Sequence, residues 1–163
     1  EARDWLPDPI PVFLKIAPDV SEAGLDDIVA EVVDKAIDGI VVSNTTLSRA
    51  GLSADPGEAG GLSGKPLFDR ATIMLAKTRQ RVGADMALIG VGGVDGPETA
   101  LGKIEAGADL VQLYTGMIYR GPTIARRICE GLSAVLDRDG VGSITQLRDR
   151  KLNAWAERPL PAE

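Results

Sequence analysis

Five short clusters in this chain hold the residues with the most capacity for chemistry, and four of them sit in or at the end of an apolar run. Lys15 lies within Val12-Phe13-Leu14-Lys15-Ile16. A lysine flanked by Phe13, Leu14 and Ile16 is expensive to bury without an anionic partner. It is either a cation held against an electron-rich ligand or a surface lysine on an edge strand. Ser43-Asn44-Thr45-Thr46 places four short polar side chains in a row, a set that can read a ligand carrying carboxylate and amide groups. An ordinary turn with an Asx or Ser/Thr cap has the same composition. Gly60-Gly61-Leu62-Ser63-Gly64-Lys65-Pro66 lies in a long loop, where three glycines allow close backbone approach to a ligand. The spacing is not that of a P-loop. Gly90-Val91-Gly92-Gly93 and Tyr114-Thr115-Gly116 each follow an apolar run and precede a helical pattern. Glycines there offer backbone N–H groups to an anion, or make a tight turn.

Other chemistries are excluded by composition. The chain has 163 residues and no histidine, so it lacks the commonest general base and metal ligand. Its single cysteine, Cys129, rules out an internal disulfide or a CxxC metal site and reads as core packing between Ile128 and Leu132. No metal site is expected. With 24 Asp+Glu against 18 Lys+Arg, the net charge of −6 argues against a nucleic-acid partner. A hydrophobic fraction of 44% is enough for a packed core. No apolar run approaches the roughly 18 residues of a membrane helix. The abrupt start at Glu1, without Met, reads as a mature or excised segment.

The elements that must position these clusters follow from periodicity. Val12–Ile16, Gly39–Ser43, Ala87–Val91 and Asp109–Leu113 are short, apolar and mostly non-alternating, as strands buried on both faces are. Each precedes a helical stripe. The first begins at the N-cap Ser21 and carries Leu25, Ile28, Val29, Val32, Val33 and Ala36. The second runs from Phe68 to Val82, with Lys77, Arg79 and Arg81 where the helix dipole favours cations. The third opens near Asp95-Gly96-Pro97 and closes at Gly107. The fourth opens at Pro122 and carries Ile124, Ile128, Leu132, Val135 and Leu136, with Arg126-Arg127 on its solvated face. A last helix is expected from Ser143 to Trp155, and the Arg158–Pro161 tail is expected to fray. Trp5 and Trp155 read as packing residues. The βαβαβαβα order implies a parallel sheet with right-handed crossovers. Asp38 and Asp109 open two of the strands in matching contexts and read as turn caps. Four βα units are an open sheet or half of a barrel that needs about 250 residues. The expected division is a lead-in at 1–10, a βα-repeat unit at 11–137 and a C-terminal helix and tail at 138–163.

Five ordered motifs together resemble one family. They are Leu14-Lys15-Ile16-Ala17-Pro18-Asp19, Ser43-Asn44-Thr45-Thr46-Leu47-Ser48-Arg49, Gly60 through Leu67, Ile89-Gly90-Val91-Gly92-Gly93-Val94 and Leu110-Val111-Gln112-Leu113-Tyr114-Thr115-Gly116. The set is similar to the C-terminal half of the class 2, quinone-linked dihydroorotate dehydrogenases. The resemblance implies an α/β fold, the C-terminal half of a TIM (β/α)8 barrel, with FMN as cofactor. It implies oxidation of dihydroorotate to orotate in de novo pyrimidine biosynthesis, with a quinone as electron acceptor. By the same resemblance Lys15 lies on the flavin ring, and Ser43, Gly64, Gly93, Tyr114 and Thr115 contact FMN, the last three around its phosphate. Asn44 and Thr45 hydrogen-bond the orotate ring. The family's catalytic base is a Ser in the first half of the barrel, so no catalytic residue is assigned here. The quinone site and the peripheral membrane contact, on the cytoplasmic side of the inner membrane, also belong upstream. The chain is therefore expected to be a fragment, inactive alone. The other reading is a non-catalytic or different phosphate- or flavin-binding barrel segment.

Overall fold

A computed structural model describes residues 10–54 and 57–161. Trp5 and nearly all of the 1–10 lead-in lie outside the described residues. The sheet has four strands in the order β1 (Phe13–Ile16), β2 (Gly39–Val42), β3 (Ala87–Gly90) and β4 (Leu110–Val111). All neighbours are parallel, and Lys15, Val41 and Ile89 stand in one row of the register. The helices are α1 (Glu22–Asp34), α2 (Phe68–Val82), α3 (Pro97–Glu105), α4 (Thr115–Arg120), α5 (Ile124–Asp139) and α6 (Leu152–Ala156). This is four consecutive βα repeats, as expected from the alternation of patterns.

Strand parity decides what each face does. Ile16, Ile40, Val42 and Leu88 pack with Leu25, Val32, Met74, Leu75 and Ile104 from the helices. Lys15, Val41 and Ile89 alternate with them and occupy the opposite face. Phe13 also belongs to that face, and a methyl on its register partner Gly39 would meet the Phe13 ring at 2.3 Å. Gly39 is thus the gap that lets the ring lie down.

Local signals explain the helix ends. The Ser21 hydroxyl accepts the Gly24 N–H at 3.1 Å, capping α1. Pro97 occupies the first turn of α3. Gly107, with φ +117°, supplies the turn into β4. The paired aspartates act alike. Asp38 donates its N–H to the Val12 carbonyl and accepts the Val12 N–H on its carboxylate. Asp109 does the same with Leu88. Each therefore locks the start of its strand onto the strand before it.

Several expectations are corrected. The residues after β4 form α4 before Gly121, at φ +80°, ends it. The helix expected from Ser143 to Trp155 is instead a 3-10 turn (Ile144–Gln146) followed by the short α6. Asp149 lies in the break, at φ +68°, with its carboxylate 3.3 Å from Arg148. Arg79 stands in the last turn of α2 as expected, and it is also 2% exposed, holding the carbonyls of Gly107, Gly83 and Met86 and the Asp109 carboxylate. Cys129 is exposed, because the buried face of α5 centres on Ile124 and Ile128. The tail does not fray through Pro161. Arg158 stacks on Trp155 at 3.9 Å, and the Pro161 carbonyl accepts from Arg70 at 2.6 Å. Trp155 packs as expected, edge-on to Phe68.

Candidate functional site

The C-terminal ends of the four strands open onto one cavity of about 890 Å³. That volume falls within the roughly 300–1,000 Å³ of small-molecule sites. Lys15, Ser43, Asn44, Thr45, Gly64, Gly93, Tyr114 and Thr115 all line it. The structure thus brings together residues from all five clusters, while Thr46, Gly60 and Gly90 of the same clusters do not line the cavity.

Lys15 reaches the cavity from the face of β1 opposite the helices. It is exposed, which removes the burial penalty its apolar neighbours suggested. Ser43 is buried at 1% exposure and donates its hydroxyl to the Asn44 carbonyl at 2.9 Å. The Asn44 side-chain oxygen accepts the Thr45 N–H at 2.9 Å. That leaves the Asn44 NH2, a double donor, beside the Thr45 hydroxyl on an exposed two-residue span.

The glycine loops interlock around the far side. Gly92 and Gly93 follow β3 with φ of +102° and +73°, two consecutive left-handed residues that only glycine adopts without strain. A methyl on Gly93 would sit 2.4 Å from the Phe68 Cβ, so the turn rests on the start of α2. Gly64, also at positive φ, approaches Thr115, where an added methyl would meet the threonine Cγ2 at 2.9 Å. Ser63 and Thr115 share a hydrogen bond of 2.9 Å across the same contact. The loops after β2, β3 and β4 are therefore mutually fixed.

The start of α3 is largely satisfied by its own chain. The Thr99 hydroxyl accepts the N–H groups of Asp95 at 3.0 Å and Gly96 at 3.1 Å, and Pro97 has none. The expectation of an anion held by this helix N-terminus therefore narrows to the Gly92-Gly93 turn and the Tyr114-Thr115 segment.

Residues not singled out from the sequence also line the cavity. Leu52 and Leu113 add apolar wall, and Arg120, 3.5 Å from Asp95, sits at the rim with Tyr119. In sequence Leu113 read as a strand end and Leu52, Tyr119 and Arg120 carried no reading, and nothing local distinguishes them as cavity residues. Among the described residues no group of three His, Cys, Asp or Glu side chains could hold a metal ion. No helix among them is long and apolar enough to cross a membrane.

Comparison with known proteins agrees with this geometry. The family model for dihydroorotate dehydrogenase matches residues 6–136. The chain is 63% identical over 154 residues to dihydroorotate dehydrogenase (quinone) of Brucella anthropi, covering 93% of this chain and 42% of that protein. It is 62% identical over 153 residues to the protein of the same name from Rhizobium rhizogenes, with the same coverages. The crystal structure of Eimeria tenella DHODH in complex with ferulenol superposes with a TM-score of 0.83 at 33% identity, over 90% of this chain and 40% of that one. Ligand-free Eimeria tenella DHODH gives a TM-score of 0.80 at 34% identity, with the same coverages. The chain thus spans about two-fifths of the length of the relatives it matches, and its fold is that of part of an α/β barrel.

Proposed function

This chain belongs to the dihydroorotate dehydrogenase family, and on that premise we propose that it supplies the C-terminal, ligand-facing half of an FMN-dependent, quinone-linked enzyme that oxidises dihydroorotate to orotate in pyrimidine biosynthesis. The observation that carries this reading is convergence. A cation from the end of β1, an amide-hydroxyl pair from β2 and glycine turns from the loops after β2 and β3 line one cavity.

The residues fit a flavin nucleotide. The Gly92-Gly93 turn and the close contact of Gly64 with Thr115 leave backbone, not side chain, facing the far wall, which suits a phosphate. When bound, FMN supplies a two-electron acceptor for a C–H bond of the dihydropyrimidine ring. Lys15 sets positive charge on the inward face, where it favours an electron-rich ring system. The Asn44 NH2 and Thr45 hydroxyl match the carbonyl and N–H groups of a pyrimidinedione. Ser43 acts from behind, fixing the Asn44 carbonyl. Backbone groups of Gly93, Tyr114 and Thr115 hold the phosphate, and Gly64 lets the long loop close over it.

We assign no proton acceptor to this chain. The Ser base, the quinone site and the peripheral contact with the cytoplasmic face of a membrane belong to the remainder of the full protein. The sheet edges support that division. Val12, Phe13 and Leu14 on the β1 side and Leu110 on the β4 side are exposed apolar residues where further strands of a barrel would pair. The test is ligand binding to the parent protein. It should purify with FMN, and orotate should perturb the flavin spectrum. A parent protein that takes up no FMN would overturn the reading. The isolated chain should not turn over dihydroorotate.

A further inference from the structure

Asp19 does not line the cavity, yet it holds the segment that does. It lies in the turn after β1, with its side chain 21% exposed. One carboxylate oxygen accepts the Thr46 hydroxyl at 2.5 Å and the other accepts the Leu47 N–H at 2.8 Å. Two bonds to one carboxylate fix both the place and the orientation of the 46–47 peptide.

Thr46 is the knot of this region. It is 3% exposed, and it exchanges both backbone hydrogen bonds with Leu62, at 3.1 and 2.7 Å. Its hydroxyl also accepts the Ser48 N–H at 3.0 Å. On the other side, the Asn44 N–H donates to the Ile16 carbonyl at 2.8 Å. Asn44 and Thr45 are therefore a two-residue span pinned at each end, with Asp19 holding the end away from the sheet. Arg70, 6% exposed, completes the support, 3.5 Å from Asp19.

We propose that Asp19 is a positioning residue for ligand recognition, acting through Thr46 to set the Asn44-Thr45 pair against the pyrimidine ring. This rests on the functional reading above. A purely structural aspartate would affect flavin, substrate and quinone together. A positioning residue would affect only the pyrimidine.

The experiment uses the parent flavoprotein and four variants: Asp19→Ala, Thr46→Val, Thr46→Ser and the double Asp19→Ala/Thr46→Val. Flavin content, orotate affinity from the flavin spectrum, and KM for dihydroorotate and for quinone are measured. Asp19→Ala and Thr46→Val should each weaken orotate binding and raise the dihydroorotate KM by about tenfold, the scale of one charge-assisted hydrogen bond. Flavin content and quinone KM should stay at wild-type values. Thr46→Ser keeps the hydroxyl and should bind orotate normally. The double variant should lose clearly less than the two single effects combined, because the Asp19–Thr46 hydrogen bond is lost in both singles. Should Asp19→Ala fail to fold, the near-isosteric Thr46→Val carries the test. Unchanged orotate affinity in a folded Asp19→Ala or Thr46→Val protein would overturn the proposal. So would a Thr46→Ser protein as weak as Thr46→Val, or loss of flavin in step with loss of orotate. A wild type that binds FMN but not orotate would instead remove the functional reading itself, a result no variant can mimic.

Discussion

The Thr45 side chain and the Gly61 backbone meet so closely that a methyl group on Gly61 would lie 1.9 Å from the Thr45 Oγ1. Thr45 can keep its place in the cavity only while residue 61 has no side chain. Gly61→Ala should displace Thr45 or the long loop and raise the dihydroorotate KM of the parent protein about tenfold or more. Flavin content tells the two apart, because the long loop is joined to Thr115 through the Ser63 hydrogen bond, so a displaced loop should lower it and a displaced Thr45 should not. Steady-state kinetics with a flavin assay checks both.

Lys15 carries a second prediction. It stands on the sheet face opposite the helices and lines the cavity, and on the proposed reading its charge lies against the flavin ring. Lys15→Met in the parent should slow flavin reduction by dihydroorotate on the order of a hundredfold, the scale of losing one electrostatic contact to a developing charge. The flavin midpoint potential should shift negative, and Lys15→Arg should recover part of both effects. Stopped-flow reduction at wild-type rate would remove Lys15 from this role.

The Arg79–Asp109 pair is a stability element far from the cavity. Arg79 is almost fully buried, 2.6 Å from the carboxylate, and Arg148 also bonds Asp109. Burial pushes the Asp109 carboxyl up, but the Leu88 N–H, Arg148 and Arg79 outweigh it and hold it below the ordinary range. Its contribution is therefore complete above the ordinary carboxyl pKa of about 4 and is lost as pH falls through the lower folded value. Asp109→Asn should destabilise by up to about 3 kcal/mol at neutral pH, since it leaves the buried Arg79 guanidinium only its carbonyl acceptors and Asp149 at 3.8 Å. The acid limb of the stability curve should flatten in the same variant. Urea unfolding across pH measures both.

Lys103 gives a pH slope of the same sign for a different reason, because burial disfavours its charged form where partners favour that of Asp109. It is fully buried in α3, bonded to the Thr72 hydroxyl at 2.8 Å and 4.9 Å from the centre of the Phe68 ring. Desolvation lowers its pKa to about 7, with the nearby Asp69 opposing the shift. Between that value and the ordinary lysine value the unfolded chain binds more protons, so stability rises with pH across this window. Below about 7 the penalty of burying the cation is complete. Lys103→Met should remove the slope and stabilise the protein at pH 6 by on the order of 2 kcal/mol. The Thr72 hydroxyl keeps its own acceptor, the Phe68 carbonyl at 2.6 Å, so the variant strands no donor. Loss of stability at that pH would show that the cation is favourably held.

What the sequence made legible is what depends on near neighbours. The apolar runs gave the strands, Ser21 and Pro97 gave helix starts, and four of the five polar or glycine clusters fell at strand ends, with the fifth in the long loop that closes on the same cavity. What it hid depends on distant partners. Arg79 looked like a helix-end cation because its acceptors at Gly107 and Asp109 lie 28 and 30 residues away. Asp19 drew no reading of its own, since Thr46 is 27 residues on. The expected last helix is interrupted where Asp149 takes φ +68°, and its long-range partner, Arg79 at 3.8 Å, is 70 residues away in the chain. The short α4 was invisible because six residues beginning Thr115-Gly116 carry too little pattern to separate a helix from a loop.

The most direct test of the central claim is an anaerobic titration of the purified parent protein with dihydroorotate, followed in the visible flavin band. A yellow protein with about one FMN per chain, bleached stoichiometrically by dihydroorotate and restored by a quinone, is the predicted result. A colourless protein that gains no flavin absorbance with added FMN, or a yellow one that dihydroorotate does not bleach, would contradict it.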